Sequence, residues 1–180
     1  MTDAAQRFPL LHAPERWDWA AIDVQFSTDL PPDEIVQSVH AVGFVGDRVV
    51  VCRDERPDVW FLPGGTREPD ESLDDCLSRE LREEAGARLA GPFTPIGAHV
   101  GLSEQQTPYR PHLPHPRIGW LWGYAEVVVD GEPTSPAGGE QILEVRIVDI
   151  SEARRLLVND NVWGAELLDL AIAMRGGVDS

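Results

Sequence analysis

The stretch Gly65-Thr-Arg-Glu-Pro-Asp-Glu71-Ser-Leu-Asp-Asp-Cys-Leu-Ser-Arg79-Glu80-Leu81-Arg82-Glu83-Glu84-Ala85-Gly86-Ala87 decides how the rest of the chain is read. Ser72 is a favourable N-cap, and Asp75 stands three residues later in capping-box spacing. Asp74 and Asp75 put negative charge in the first turn, where the helix dipole favours it. Leu73, Leu77, Leu81 and Ala85 recur at every fourth position and form an apolar stripe that must face a core. Gly86 stands where a C-terminal cap belongs. The pattern predicts a loop followed by a helix of roughly four turns.

The acids on that helix need an explanation. At about 100° per residue, Glu84 projects between Leu73 and Leu77, and Glu80 projects just to the other side of Leu73. Glu83 neighbours both through the helical repeat. On a solvated face these residues would simply pair with Arg79 and Arg82. On or beside a buried edge, three unpaired carboxylates are costly and repel one another. A bound divalent cation removes both costs, and carboxylate oxygens select hard ions such as Mg²⁺ or Mn²⁺.

In register, Gly65, Glu71, Arg79, Glu80, Leu81, Glu83, Glu84 and Gly86 resemble the signature box of the Nudix hydrolase superfamily, with Ala87 a small residue at its last, apolar position. The approach Trp60-Phe61-Leu62-Pro63-Gly64-Gly65 is also similar to the family's. The resemblance implies an α/β fold, an α/β/α sandwich with a mixed sheet between helices. It implies Glu80, Glu83, Glu84 and the Gly65 carbonyl as metal contacts, with Mg²⁺ or Mn²⁺ as cofactor. Arg79 then orients the acids by pairing with Glu71.

The chain has 180 residues, enough for one domain with a substantial core. A net charge of −16 argues against a polymeric nucleic acid as partner, since such binding needs a basic footprint. A small phosphate ligand remains compatible when metal ions bridge it to acidic protein. Cys52 and Cys76 fit neither a disulfide framework nor zinc spacing and read as reduced core residues. The amino terminus lacks a basic region followed by an apolar run, and no stretch is long enough to span a bilayer. A cytoplasmic enzyme without membrane contact is the expectation.

Two parts are expected: an extension over residues 1–36 and a Nudix hydrolase domain over 37–176. Phe8, Leu10, Leu11, Trp17, Trp19, Ile22, Val24 and Phe26 make the extension too apolar for a free tail, and Trp17 and Trp19, then Ile22, Val24 and Phe26, alternate as strand residues would. It docks on its own core or is exchanged with a second subunit in a homodimer. Residues 39–45 and 48–53 predict a β-hairpin around Gly46-Asp47, and 59–62 a short strand. Residues 96–102 and 118–129 predict further strands, the latter with Trp120, Trp122 and Tyr124 on one face. Between them Pro108, Pro111, Pro114 and Pro116 enforce a loop whose Tyr109, Arg110, His112 and His115 could stack on a base or bind phosphate, and Arg53 is a further substrate-binding candidate. A last strand over 142–150, a short helix capped by Ser151 and an amphipathic helix over 163–174 complete the chain.

The expected reaction is hydrolysis of a phosphoric anhydride in a nucleoside diphosphate linked to another group. By resemblance, a loop carboxylate outside the box assists, with Glu140 the first candidate and Glu144 the second. The family's coenzyme A and NADH signatures are absent, and Leu102 stands where many ADP-ribose enzymes carry proline. A (deoxy)nucleoside triphosphate or a nucleotide sugar such as ADP-ribose is therefore the leading substrate. The alternative is a nucleotide sensor on the same fold that binds without cleaving.

Overall fold

The computed structural model describes residues 3–134 and 141–177. In chain order, helix α1 (Asp3–Arg7) and strands β1 (Glu15–Trp17) and β2 (Ile22–Ser27) precede β3 (Val36–Val45) and β4 (Arg48–Arg53). Short strands β5 (Trp60–Phe61) and β6 (Gly64–Thr66) lead into α2 (Leu73–Ala85). Strands β7 (Ala87–Leu89), β8 (Thr94–Ser103), β9 (Arg117–Val129) and β10 (Glu144–Asp149) follow, then α3 (Ile150–Leu157) and α4 (Gly164–Gly177).

The main sheet runs β1-β2-β8-β9-β3-β4-β10, with β5 on β4 and β6 on β3. It is mixed, because β3 and β9 pair in parallel while their other neighbours are antiparallel. Helices cover both faces, which is why β3 and β9 are apolar along most of their length rather than alternating. On one face α2 buries Cys76, Leu77, Leu81 and Ala85 against Val39, Ala41, Leu121 and Ala125. On the other, Ala153 of α3 and Leu167, Leu168 and Ala171 of α4 join Val42, Phe44, Trp120, Trp122 and Tyr124. The protein is an α/β/α sandwich. The large-small alternation of β9 decides which helix goes where: the small face admits α2 closely, and the aromatic face is filled by α3, α4 and the amino-terminal residues.

Residues before β3 belong to this sheet. β2 pairs with β8 from Ile22↔Ser103 to Ser27↔Ala98, and Phe8, Leu11 and Trp17 are buried on the α4 side. Trp19 departs from the expected strand alternation. It lies in a 3-10 turn (Asp18–Ala20), 69% exposed, stacked on Trp17. Trp17 Nε1 and Trp163 Nε1 both donate to one oxygen of Glu15, so a single carboxylate ties β1 to the start of α4.

Four boundaries differ from the sequence expectation. The short strand covers 60–61 only, and the last strand begins at Glu144. Helix α3 is capped by Asp149, which accepts from the Glu152 amide, and the Ser151 hydroxyl instead donates to that aspartate. Helix α4 runs from Gly164 to Gly177, beyond the expected end at residue 174. Helix α2 begins as expected at Ser72, whose Oγ accepts from the Asp75 amide at 3.1 Å. It ends at Gly86, whose φ of 58° is the left-handed conformation that glycine adopts without strain.

Candidate active site

Strand β6 pairs with β3 through Ser38↔Thr66 and His40↔Gly64, which fixes the Gly64-Gly65 turn against the sheet. Helix α2 packs under this turn on the opposite side from α3 and α4. Its stripe of leucines sets the rotation, and that rotation carries Glu80 and Glu84 to the turn, each only 8% exposed. Glu84 accepts a hydrogen bond from the Gly64 amide at 2.9 Å, so its carboxylate is oriented by the main chain. A Cβ at Gly65 would meet the Glu80 carboxylate, which would have to move aside, so the bare glycine leaves that carboxylate its place at the turn. Its carbonyl accepts from the Cys76 thiol at 3.5 Å.

Arg79 is the hub. It forks onto Glu71, with Nε to Oε1 at 2.8 Å and Nη2 to Oε2 at 3.0 Å. It also donates to Glu80 Oε1 at 2.7 Å, to Glu83 Oε2 at 3.2 Å and to the Thr66 carbonyl at 3.0 Å. Three carboxylates therefore share one guanidinium, with Glu84 beside them. The electrostatics differ among the acids. Burial pulls the Glu71 carboxyl upward, but the Arg79 fork and the Glu68 amide outweigh it and hold it below the usual carboxylate range. Burial pushes Glu80 above that range, and the charges of Glu83 and Glu71 add to the push despite Arg79.

The donor set suits a hard divalent ion. It consists of carboxylate oxygens at a half-buried site holding more negative charge than its arginine offsets. Among the described residues, no three acid, histidine or cysteine side chains already converge as a ligand cage, because Arg79 draws Glu80 and Glu83 onto itself. Glu80, Glu83 and Glu84 could hold such an ion after small rotamer changes.

The remaining sequence candidates fall in three places. Arg110 and His112 come onto the loop that precedes α2: Arg110 pairs with Glu68 at 2.8 Å, and His112 Nε2 meets the Arg67 carbonyl at 2.9 Å. Tyr109 beside them is exposed, with the Arg110 guanidinium 5.6 Å from its ring centre. Arg53 and Glu144 pair with each other at 3.1 Å across β4 and β10, and Arg53 also lies over the Trp60 ring. Glu144 is shared with Arg146 at 2.6 Å, and these arginines hold its carboxyl below the usual range. Glu140 lies outside the described residues.

One contributor was missed in the sequence. Arg67 sits at a variable position of the box, yet its side chain donates to the Glu71 carbonyl at 2.6 and 3.1 Å and to Asp33 Oδ1 at 2.8 Å. Only the unusual arginine between Thr66 and Glu68 in an otherwise acidic loop could have signalled it.

A family model described as a NUDIX domain matches residues 35–170. Among curated proteins, diphosphoinositol polyphosphate phosphohydrolase 3-alpha of Mus musculus is 38% identical over 60 residues, 33% of this chain and 34% of that protein. Nucleoside triphosphatase NudI of Enterobacter sp. (strain 638) is 52% identical over 33 residues, 18% of this chain and 23% of that protein. These matches span about a third or less of the relatives' length. The pyrophosphohydrolase BsRppH of Bacillus subtilis superposes with a TM-score of 0.63 at 17% identity, covering 88% of this chain and 94% of that one. A NUDIX hydrolase from Nitrosomonas europaea gives 0.55 at 19%, covering 77% and 88%. At these identities the structural likeness concerns the fold.

Proposed function

Because this chain belongs to the NUDIX family, we propose that it is a divalent-metal-dependent hydrolase of a phosphoric anhydride in a nucleoside diphosphate linked to another group. The observation that carries this reading is the acid cluster itself. Glu80 and Glu84 are buried at a glycine turn, Glu84 is aimed by the Gly64 amide, and Glu71 and Arg79 are locked in a two-bond fork. A sensor that only binds would have no need for such costly pre-organised charge.

Glu80, Glu83 and Glu84, with the Gly65 carbonyl, would hold Mg²⁺ or Mn²⁺, which supplies Lewis acidity toward phosphoryl oxygens. The chain's own part is positioning. The Gly64 amide holds one Glu84 oxygen and so fixes the orientation of its carboxylate. Arg79 keeps Glu80 and Glu83 close together in spite of their repulsion. Glu83 or Glu84, or a loop acid such as Glu140 or Glu144, accepts a proton from the attacking water. Arg110, His112, Tyr109 and Arg53 are the proposed substrate contacts, the first two because they already touch the loop leading to Glu71.

The substrate we assign is a (deoxy)nucleoside triphosphate or a nucleotide sugar such as ADP-ribose. The similarity to a relative named nucleoside triphosphatase supports the first. We place the enzyme in the cytoplasm, where the buried free thiols of Cys52 and Cys76 stay reduced. No described helix is long and apolar enough to cross a membrane.

The test is release of phosphate and nucleotide from a panel of triphosphates, nucleotide sugars and dinucleotides with Mg²⁺ or Mn²⁺, for wild type and Glu84→Gln. The glutamine keeps an acceptor for the Gly64 amide and removes the charge, so turnover should fall about 100- to 1000-fold while the fold persists. Tight nucleotide binding without turnover in the wild type would replace this reading with the sensor.

A further inference from the structure

The loop between β6 and α2 is held from outside as well as by Arg79. The Arg67 side chain is 20% exposed, and its guanidinium spends its donors on three neighbours. Nε and Nη2 straddle the Glu71 carbonyl at 3.1 and 2.6 Å. Nη1 reaches Asp33 Oδ1 at 2.8 Å, the Asp33 carbonyl at 3.2 Å and the Val36 carbonyl at 3.3 Å. The Arg67 main chain is fixed too: its amide donates to the Gln37 carbonyl at 3.0 Å, and its own carbonyl meets His112 Nε2 at 2.9 Å. Glu71 is therefore clamped twice, its carbonyl by Arg67 and its carboxylate by Arg79.

From this geometry we infer that Arg67 is a positioning residue for the acid cluster and couples it to the segment before β3. The inference rests on the hydrolase reading above. A guanidinium is needed because only its planar fork can grip one carbonyl with two donors while a third reaches Asp33. Releasing Arg67 lets the turn at residues 68–71 shift. Glu71 then loses its alignment with Arg79, and Glu80 and Glu83 lose the guanidinium that holds them together. Asp33 begins the 3-10 turn (Asp33–Ile35) that leads into β3, and Val36 closes it.

The experiment uses the full chain and two readouts. First, Mn²⁺ is titrated into the nucleotide-free protein and free ion is followed by electron paramagnetic resonance, for wild type, Arg67→Met and Arg67→Lys. Both variants should bind Mn²⁺ about 10-fold or more weakly, as when outer contacts to metal ligands are removed. Lysine fails to rescue because it keeps the charge without the fork. Arg88→Met, which removes an exposed ion pair to Asp130, is the control that should bind as wild type does. Second, kcat and KM are measured for Arg67→Met, Glu71→Gln and the double variant. The kcat losses should not multiply, because both changes act through one linkage, and KM should stay within about twofold. Mn²⁺ affinity unchanged in Arg67→Met and Arg67→Lys, or kcat losses that multiply, would overturn the inference. A wild type that binds no Mn²⁺ would instead overturn the hydrolase reading.

Discussion

Replacing Arg79 by methionine removes the hub of the acid cluster while keeping the length of its stem. The wild-type guanidinium makes six hydrogen bonds, two to Glu71 and one each to Glu80, Glu83, Thr66 and Cys76 Sγ. Its partners are well shielded, with side-chain exposures of 12% for Glu71 and 11% for Glu80. Removing one member of a buried ion pair costs about 3–5 kcal/mol, because the other charge is left behind. Arg79 itself is 27% exposed, which puts the expected loss near the lower end, about 3 kcal/mol. With a urea slope near 2 kcal/mol/M, the midpoint should fall by about 1.5 M at pH 7 in metal-free buffer.

The sign of the pH dependence is fixed as well. In the wild type Glu71 is depressed, so its contribution is present above the unfolded carboxyl pKa and is lost as pH falls through the folded value. In the variant Glu71 and Glu80 are buried without a cation and their pKa values rise, so their penalty is greatest at neutral pH and is relieved by protonation. Relief of the variant's buried carboxylates narrows the gap as pH falls from about 7 toward the usual carboxyl range, and below that range the loss of the Glu71 contribution in the wild type narrows it further. Urea melts at several pH values in chelator measure this directly. A loss below about 1 kcal/mol, or a gap independent of pH, would refute the idea that Arg79 holds buried carboxylates in place.

Further outcomes follow from other parts of the molecule. His99 is 1% exposed, accepts from Trp122 Nε1 at 3.0 Å, and burial pushes its pKa down to about 3. Its folded pKa lies below the ordinary value, so no penalty applies above about pH 6.5 and stability falls from there toward acid, by about 2 kcal/mol at pH 5. His99→Gln should lessen the acid slope of denaturation curves at pH 5 to 7 by that amount, leaving the share of His40, whose pKa burial pushes down to about 4, and an unaltered slope would show that His99 does not contribute. Leu77→Ala, at a fully buried position of α2, should cost about 2–5 kcal/mol in a thermal or urea melt, with the cavity between α2 and the sheet. Ser72→Ala removes the acceptor for the Asp75 amide and should cost about 1 kcal/mol, measurable in the same melts.

The sequence by itself determined the box helix, its caps and the acids, because these depend on spacing along one element. A 3.6-residue repeat tells which side chains share a face, so Leu77, Leu81, Glu80 and Glu84 were legible together. The Arg79–Glu71 fork was also accessible, since the family resemblance pairs those positions. The strands were legible as apolar runs, but their order was not. That β3 would pair in parallel with β9, or β2 join the sheet beside β8, depends on contacts between residues far apart in the chain, on which local propensity has no hold. Trp19 read as a strand residue but lies exposed in the 3-10 turn Asp18–Ala20, stacked on Trp17 and edge-on to Trp120, contacts that depend on residues far away in the chain. Arg67 marks the same boundary from the side of function. Nothing near it in sequence says that its guanidinium meets Asp33 and Glu71 at once. Only the folding of residues 33–36 against the loop before α2 brings those oxygens within reach of one planar fork.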